Sequence, residues 1–181
     1  MNGSITRRAP FIIALLRMLV TPVFFYSITN NWIELAFSIY LFALVSDVLD
    51  GYIARRYSIE AISIIEAFLD PMADFVFVMA SFFAFSYKQY YPSLLAAIFL
   101  VMFLFFILTS NRNEPIYDPL GKYYGIFLIL IIGLTILFPI SSVLDILYLT
   151  ILSYTILLVI FRITFITKQR GKSEGLNSLY D

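Results

Sequence analysis

Apolar and polar positions alternate along this chain on a long scale, giving six extended apolar runs separated by short polar breaks. The first run, Phe11 to about Ile28, follows a short polar start carrying Arg7 and Arg8 and is broken by Asn30-Asn31. It lacks a small-residue cleavage site, so it reads as a retained helix and not as a leader that is removed. The second runs from Trp32 through Val45 and continues as a more polar helical extension, Ser46 to Arg56. After a polar stretch to about Ser63, the third covers roughly Ile64 to Phe85. Glu66, Asp70 and Asp74 come first in it and the remainder is wholly apolar. Lys88 to Pro92 forms the next break. The fourth run, about Ser93 to Thr109, stops at Ser110-Asn111-Arg112-Asn113-Glu114-Pro115, where turn formers and charge take over. The fifth spans about Lys122 to Phe138, Pro139 to Ser142 turns the chain, and the sixth runs from about Val143 to Ile166 before a tail with Lys168, Arg170 and Lys172.

Each run is about long enough to cross a hydrocarbon core of roughly 30 Å. Together they take up most of the 181 residues, so the pattern predicts an all-α integral membrane bundle of six transmembrane helices forming a single domain over residues 1–181. Composition agrees: 61% of the chain is hydrophobic and 13% charged, a balance that belongs in a bilayer. No internal repeat or low-complexity tract interrupts it.

Net charge is zero, from twelve basic and twelve acidic residues, which gives no footing for nucleic acid. Where the charges fall says more than their sum. Six crossings put Arg7, Arg8, Arg55, Arg56, Arg112, Lys122, Lys168, Arg170 and Lys172 on one side and Lys88 on the other. The positive-inside rule makes the first side cytoplasmic, with both termini and the loops after the second and fourth helices there. Cysteine and histidine are absent, which removes disulfides, thiolate sites, the usual general base and the usual transition-metal ligand. Any metal must sit on oxygen, which selects hard cations such as magnesium or manganese.

The chemistry gathers between the second and third runs. Asp47 and Asp50 stand three apart, Asp70 and Asp74 four apart, and each spacing puts both carboxylates on one face of a helix. Carboxylates near hydrocarbon are costly, on the order of 2.5–3.5 kcal/mol each at a helix centre, and these would also repel one another. Two divalent ions held between the helices would neutralise them and could bridge the phosphates of a nucleotide-activated substrate. Gly51 and Ala54 remove bulk beside the acids, as small-residue helix packing also would, and Arg55 adds a fixed charge for a phosphate.

These residues resemble the signature of the CDP-alcohol phosphatidyltransferase family, D-x-x-D-G-x-x-A-R, a spacer, then G-x-x-x-D-x-x-x-D. Asp47, Asp50, Gly51, Ala54, Arg55, Asp70 and Asp74 match it in type and order. The resemblance implies transfer of a phosphatidyl or archaetidyl group from a CDP-activated lipid to an acceptor hydroxyl, with CMP leaving. It implies Asp47, Asp50, Asp70 and Asp74 as ligands of two magnesium ions, with manganese a possible substitute, and Asp74 also as the catalytic base. Around the CDP moiety it implies Asp47, Gly51, Ala54 and Arg55. Two departures stand out: the ten residues between Arg55 and Glu66 exceed the usual spacer, and Glu66 occupies the place of the family's second glycine. Glu66 is thus either a nucleotide contact or an exposed interfacial acid. A homodimer is implied by the resemblance alone.

For the acceptor, Leu15-Leu16-Arg17 through Thr21-Pro22 resembles the opening helix of relatives that make phosphatidylglycerophosphate or cardiolipin. Arg17 is an intramembrane charge that needs a partner or an anionic ligand, unless it snorkels to the interface. Arg112 and Lys122 could hold an acceptor phosphate or serve as ordinary positive-inside charges. Lys122 follows Gly121 as in relatives that accept glycerol phosphate, although Gly125 stands where they carry threonine. The expected acceptor is sn-glycerol 3-phosphate, with inositol phosphate, serine or a phospholipid as alternatives, and the expected setting is a multi-pass protein of a prokaryotic cell membrane. A reading of another class is a small cation- or proton-coupled transporter, which calls for acids near the bilayer midplane and for broken helices in inverted repeats.

Overall fold

Six α-helices follow one another in the computed structural model: α1 (Gly3–Thr29), α2 (Ile33–Arg56), α3 (Ile64–Tyr87), α4 (Leu94–Thr109), α5 (Pro119–Leu137) and α6 (Ser141–Asn177). The structure describes residues 3–56, 64–109 and 119–177, with side chains described at 12–46, 48–49, 72–104 and 123–164; no strand occurs among them. The helices coincide with the six apolar runs, and α2 carries the polar extension to Arg56 as expected. The ends differ in two places. α1 begins at Gly3, so Arg7 and Arg8 are helical, and α6 continues through Lys168, Arg170 and Lys172, which were expected in a tail. Lysine, arginine and glutamine are good helix formers and no proline interrupts them, so the helix outlasts its apolar stretch.

Among the described residues, two helices contain stretches long and apolar enough to cross a membrane, Ile12–Thr29 and Ser141–Thr164. The apolar stretches Ile33–Ser46, Met72–Tyr87, Leu94–Leu104 and Tyr123–Leu137 are shorter. Large aliphatic side chains face outward along the bundle, with Leu19, Val101 and Leu149 exposed by 62%, 64% and 64%. A surface of that kind suits lipid better than water.

Four helices form a ring. α1 packs on α2 and, most extensively, on α3, and α5 packs on both α2 and α3; among the described residues α2 and α3 do not pack on each other. α4 lies outside against α3, and α6 outside against α5. Among the described residues, α1 and α5 thus each link α2 to α3.

One end of the ring is closed by two matching turns. At Asn31 the backbone enters the left-handed region (φ 63°), and Trp32 N–H donates to the Ser27 carbonyl (2.8 Å) while Asn31 N–H donates to that of Ile28 (3.2 Å). The same pair of bonds recurs at Gln89 (φ 61°), from Tyr90 to Phe85 and from Gln89 to Ser86, both 2.9 Å. These are Schellman caps, each with an aromatic residue folding back, Trp32 edge-on to Tyr26 and Tyr90 stacked on Phe85. Lys88 Nζ donates to Asn31 Oδ1, joining the two caps. At this end Tyr91 and Thr135 hydroxyls also bond at 2.8 Å, tying the α3–α4 turn to α5. Burial pushes the Tyr91 phenol above its ordinary pKa, against a smaller lowering by Thr135.

Polar side chains in the core return their hydroxyls to their own helices. Thr21, Ser27, Ser81, Thr135 and Thr155 each donate to the carbonyl four residues back, and Thr135 and Thr155 also bond the hydroxyls of Tyr91 and Tyr124. Where α2 meets α5, buried Tyr40 lies flat against Gly133, and a β-carbon there would stand 2.5 Å from its hydroxyl oxygen. Gly125, on the same helix, has open space around it. Gly133→Ala is therefore expected to destabilise the bundle by about 1–3 kcal/mol through displacement of the Tyr40 ring. Gly125→Ala should be neutral or stabilising by up to about 1 kcal/mol. Thermal unfolding of the two variants in detergent micelles measures the contrast.

Candidate active site

The core stripes of three helices lead to the charged residues. On α1 the buried stripe runs through Ala14, Arg17, Thr21, Phe24 and Ile28, spaced by alternating steps of three and four, with Ser27 buried beside it. On α2, Ala36, Tyr40 and Ala43 follow the same rhythm, and positions 47 and 50 continue its register. On α3, Ala84, Ser81 and Phe77 lead back in register to positions 74 and 70. By helical spacing, positions 47, 50, 70 and 74 thus continue the registers of these two stripes.

Helical rise sets their depth. At 1.5 Å per residue from the capped end, Arg17 lies about 18 Å in, positions 47 and 74 about 20 Å, Lys122 about 22 Å, and positions 50 and 70 about 25 Å. The aspartate positions on α2 and α3 and the cation positions on α1 and α5 thus fall at similar depths. The backbone also carries Arg7, Arg8, Arg55, Arg56, Lys168, Arg170 and Lys172 away from the Lys88 end.

Within this band one interaction is described in full. Arg17 Nη1 donates to Asp74 Oδ1 in an ion pair that joins α1 to α3. The arginine side chain is 2% exposed and the aspartate 34%. Arg17 is therefore enclosed between helices and does not snorkel to the surface. Ala14 and Ala73, both fully buried, allow the two backbones to come close beside the pair. Thr21 Oγ1 donates to the Arg17 carbonyl at 2.8 Å, and Phe24 meets Phe77 at 4.9 Å between ring centroids farther along the same seam. A guanidinium in such a seam is tolerable only with a carboxylate against it. The carboxylate in turn keeps a third of its surface open.

Of the residues expected in the site, the side chains of Asp47, Asp50, Gly51, Ala54, Arg55, Glu66, Asp70 and Lys122 lie outside the described set, as does all of Arg112. Accordingly no three metal-ligating side chains assemble among the described residues. The expected donors are carboxylate oxygens, whose chemistry fits magnesium or manganese.

Two polar features were not singled out from the sequence. Arg162 is buried (5% exposed) on α6, in register with Leu144, Leu147, Ile151, Thr155 and Leu158. An arginine between Phe161 and Ile163 meets the same criterion of an intramembrane charge that marks Arg17. The second is the hydrogen bond between Tyr124 and Thr155 (2.7 Å), flanked by the parallel stack of Tyr124 on Tyr154. No sequence signal pairs these residues, because tyrosine and threonine in apolar runs pass for ordinary core.

Comparison with known proteins agrees with the motif. The sequence model of the CDP-alcohol phosphatidyltransferase family matches residues 7–167. A CDP-diacylglycerol–glycerol-3-phosphate 3-phosphatidyltransferase of Pseudomonas fluorescens is 43% identical over 68 residues, 36% of this chain and 34% of that protein. A cardiolipin synthase (CMP-forming) of Rattus norvegicus is 27% identical over 128 residues, 64% of this chain and 39% of that protein. The chain thus spans little more than a third of the length of either relative.

The ion pair makes a thermodynamic prediction. In a double-mutant cycle of Arg17→Met and Asp74→Asn, followed by thermal unfolding in detergent, the coupling should be about 1–2 kcal/mol. That is less than for a fully buried pair, because water reaches Asp74.

Proposed function

Because the chain belongs to the CDP-alcohol phosphatidyltransferase family, we propose that it transfers a phosphatidyl or archaetidyl group from a CDP-activated lipid to an acceptor alcohol and releases CMP. The carrying observation is the common depth of the aspartate positions on α2 and α3, with Asp74 held there by a buried arginine. A transporter has less support: no broken helix is found among the described residues, and the acids share their band with cations suited to phosphate.

Asp47, Asp50, Asp70 and Asp74 would hold two magnesium ions. Divalent cations bound there would balance the carboxylates and make the phosphate more electrophilic. The chain's own residues do the rest. Asp74, partly open, takes the proton of the acceptor hydroxyl as that oxygen bonds to the lipid-bearing phosphorus. The bond from this phosphorus to the bridging oxygen breaks, and CMP departs with that oxygen. Gly51 and Ala54 leave room for the nucleotide, Arg55 meets its phosphate, and Glu66 adds a contact to the CDP moiety.

Lys122, at the depth of the acids on α5, and Arg112 supply cations for a phosphorylated acceptor. Sn-glycerol 3-phosphate is the favoured one, in keeping with the name of the Pseudomonas relative. A phospholipid acceptor is the second reading, favoured by the longer match to a cardiolipin synthase. All six helices cross the bilayer in this reading. The basic residues away from Lys88 put both termini and the active site on the cytoplasmic side, in a prokaryotic cell membrane, and the enzyme works as a homodimer.

Purified protein given a CDP-lipid, magnesium and glycerol 3-phosphate should release CMP. Inositol phosphate, serine and phosphatidylglycerol in parallel identify the acceptor, and no release with any of them would sink the proposal. Asp74→Asn should lower kcat by about 10²–10⁴-fold while CDP-lipid binding persists. Excess chelator should abolish turnover and added magnesium restore it; full turnover in chelator would rule out the metal-dependent scheme.

A further inference from the structure

We infer that Arg17 is a positioning residue for Asp74 and not a ligand of the acceptor's phosphate. The inference rests on the proposed role of Asp74 as base and adds a residue on a different helix that sets its geometry.

The asymmetry of the pair carries it. Arg17 is 2% exposed and Asp74 34% exposed, so the guanidinium meets the carboxylate from within the seam while a third of the aspartate side chain is exposed. An acceptor phosphate would have to break this ion pair to reach Arg17. A hydroxyl can approach Asp74 without disturbing it.

The guanidinium is itself held in place. Ala14 and Thr21 are buried one turn before and after it, Thr21 bonds its carbonyl, and Phe24 against Phe77 fixes the neighbouring part of the seam. A planar guanidinium so enclosed fixes the direction of the carboxylate as well as balancing its charge. Lysine would supply the charge without the plane. The acceptor's own charge is left to cations elsewhere in the band, such as Lys122 on α5.

The test is steady-state CMP release by Arg17→Lys and Arg17→Gln, with both kcat and the acceptor KM determined. A carboxylate misdirected by about 1 Å is expected to lose up to roughly 100-fold in rate. Arg17→Gln should therefore lower kcat by about 10–100-fold with the acceptor KM within about twofold of wild type, and Arg17→Lys should recover part of kcat. A rise of tenfold or more in acceptor KM with kcat retained would instead make Arg17 an acceptor ligand and overturn the inference, as would unchanged kinetics in both variants. If Arg17→Gln does not fold, Arg17→Lys alone decides by the same split between kcat and KM. An inactive wild type defeats the proposed function and not the pairing. The Arg17–Asp74 thermal cycle then decides, and zero coupling in it overturns the positioning role.

Discussion

A charged group in an oily interior needs an opposite charge within reach, and the α1–α3 seam is arranged around that need. Arg17 occupies a core position of α1, where leucine would pack without penalty, and it is tolerated there because Asp74 of α3 meets it. The pair fixes register, since sliding either helix by one turn would separate two charges in a low-dielectric surround. Close approach at Ala14 and Ala73 and the ring contact of Phe24 with Phe77 follow from the same register.

The rest of the ring extends this logic. The stripes are filled mostly by apolar residues toward the capped end, and Arg17 and Asp74 lie at nearly the same depth farther in. Toward the capped end, packing is satisfied locally, with aromatic pairs and hydroxyls returned to their own helices. Beyond it, stability and chemistry draw on the same side chains. The proposed catalytic carboxylate is also half of the bond that joins two helices, so its replacement acts on both.

The helices were legible because the signal is coarse: an apolar run of this length has few alternatives, and Asn31 and Pro92 mark turns by their own backbone preferences. The depth of the acids was legible too, since spacing along a helix translates directly into height. The partner of Arg17 was not. Nothing in sequence separation relates position 17 to position 74; the link arises only when two stripes dock, and docking depends on alanines too ordinary to stand out. Arg162, inside the sixth apolar run, carries the same signal as Arg17 but lies outside the family motif that drew the reading to the second and third helices. The second Schellman cap, at Gln89, was illegible because glutamine seldom takes that backbone conformation.

The caps at Asn31 and Gln89, joined through Lys88, make that end a pivot. From it α1, α2 and α3 project as levers, and a lever of about 20 Å converts one degree of tilt into roughly a third of an ångström of travel at the aspartate band. Catalytic groups tolerate about half an ångström of misplacement. A change in the remote turn that tilts a helix by two degrees thus exceeds the tolerance of a centre it never touches, and the polar residues of this short hairpin hold the calibration of the whole instrument.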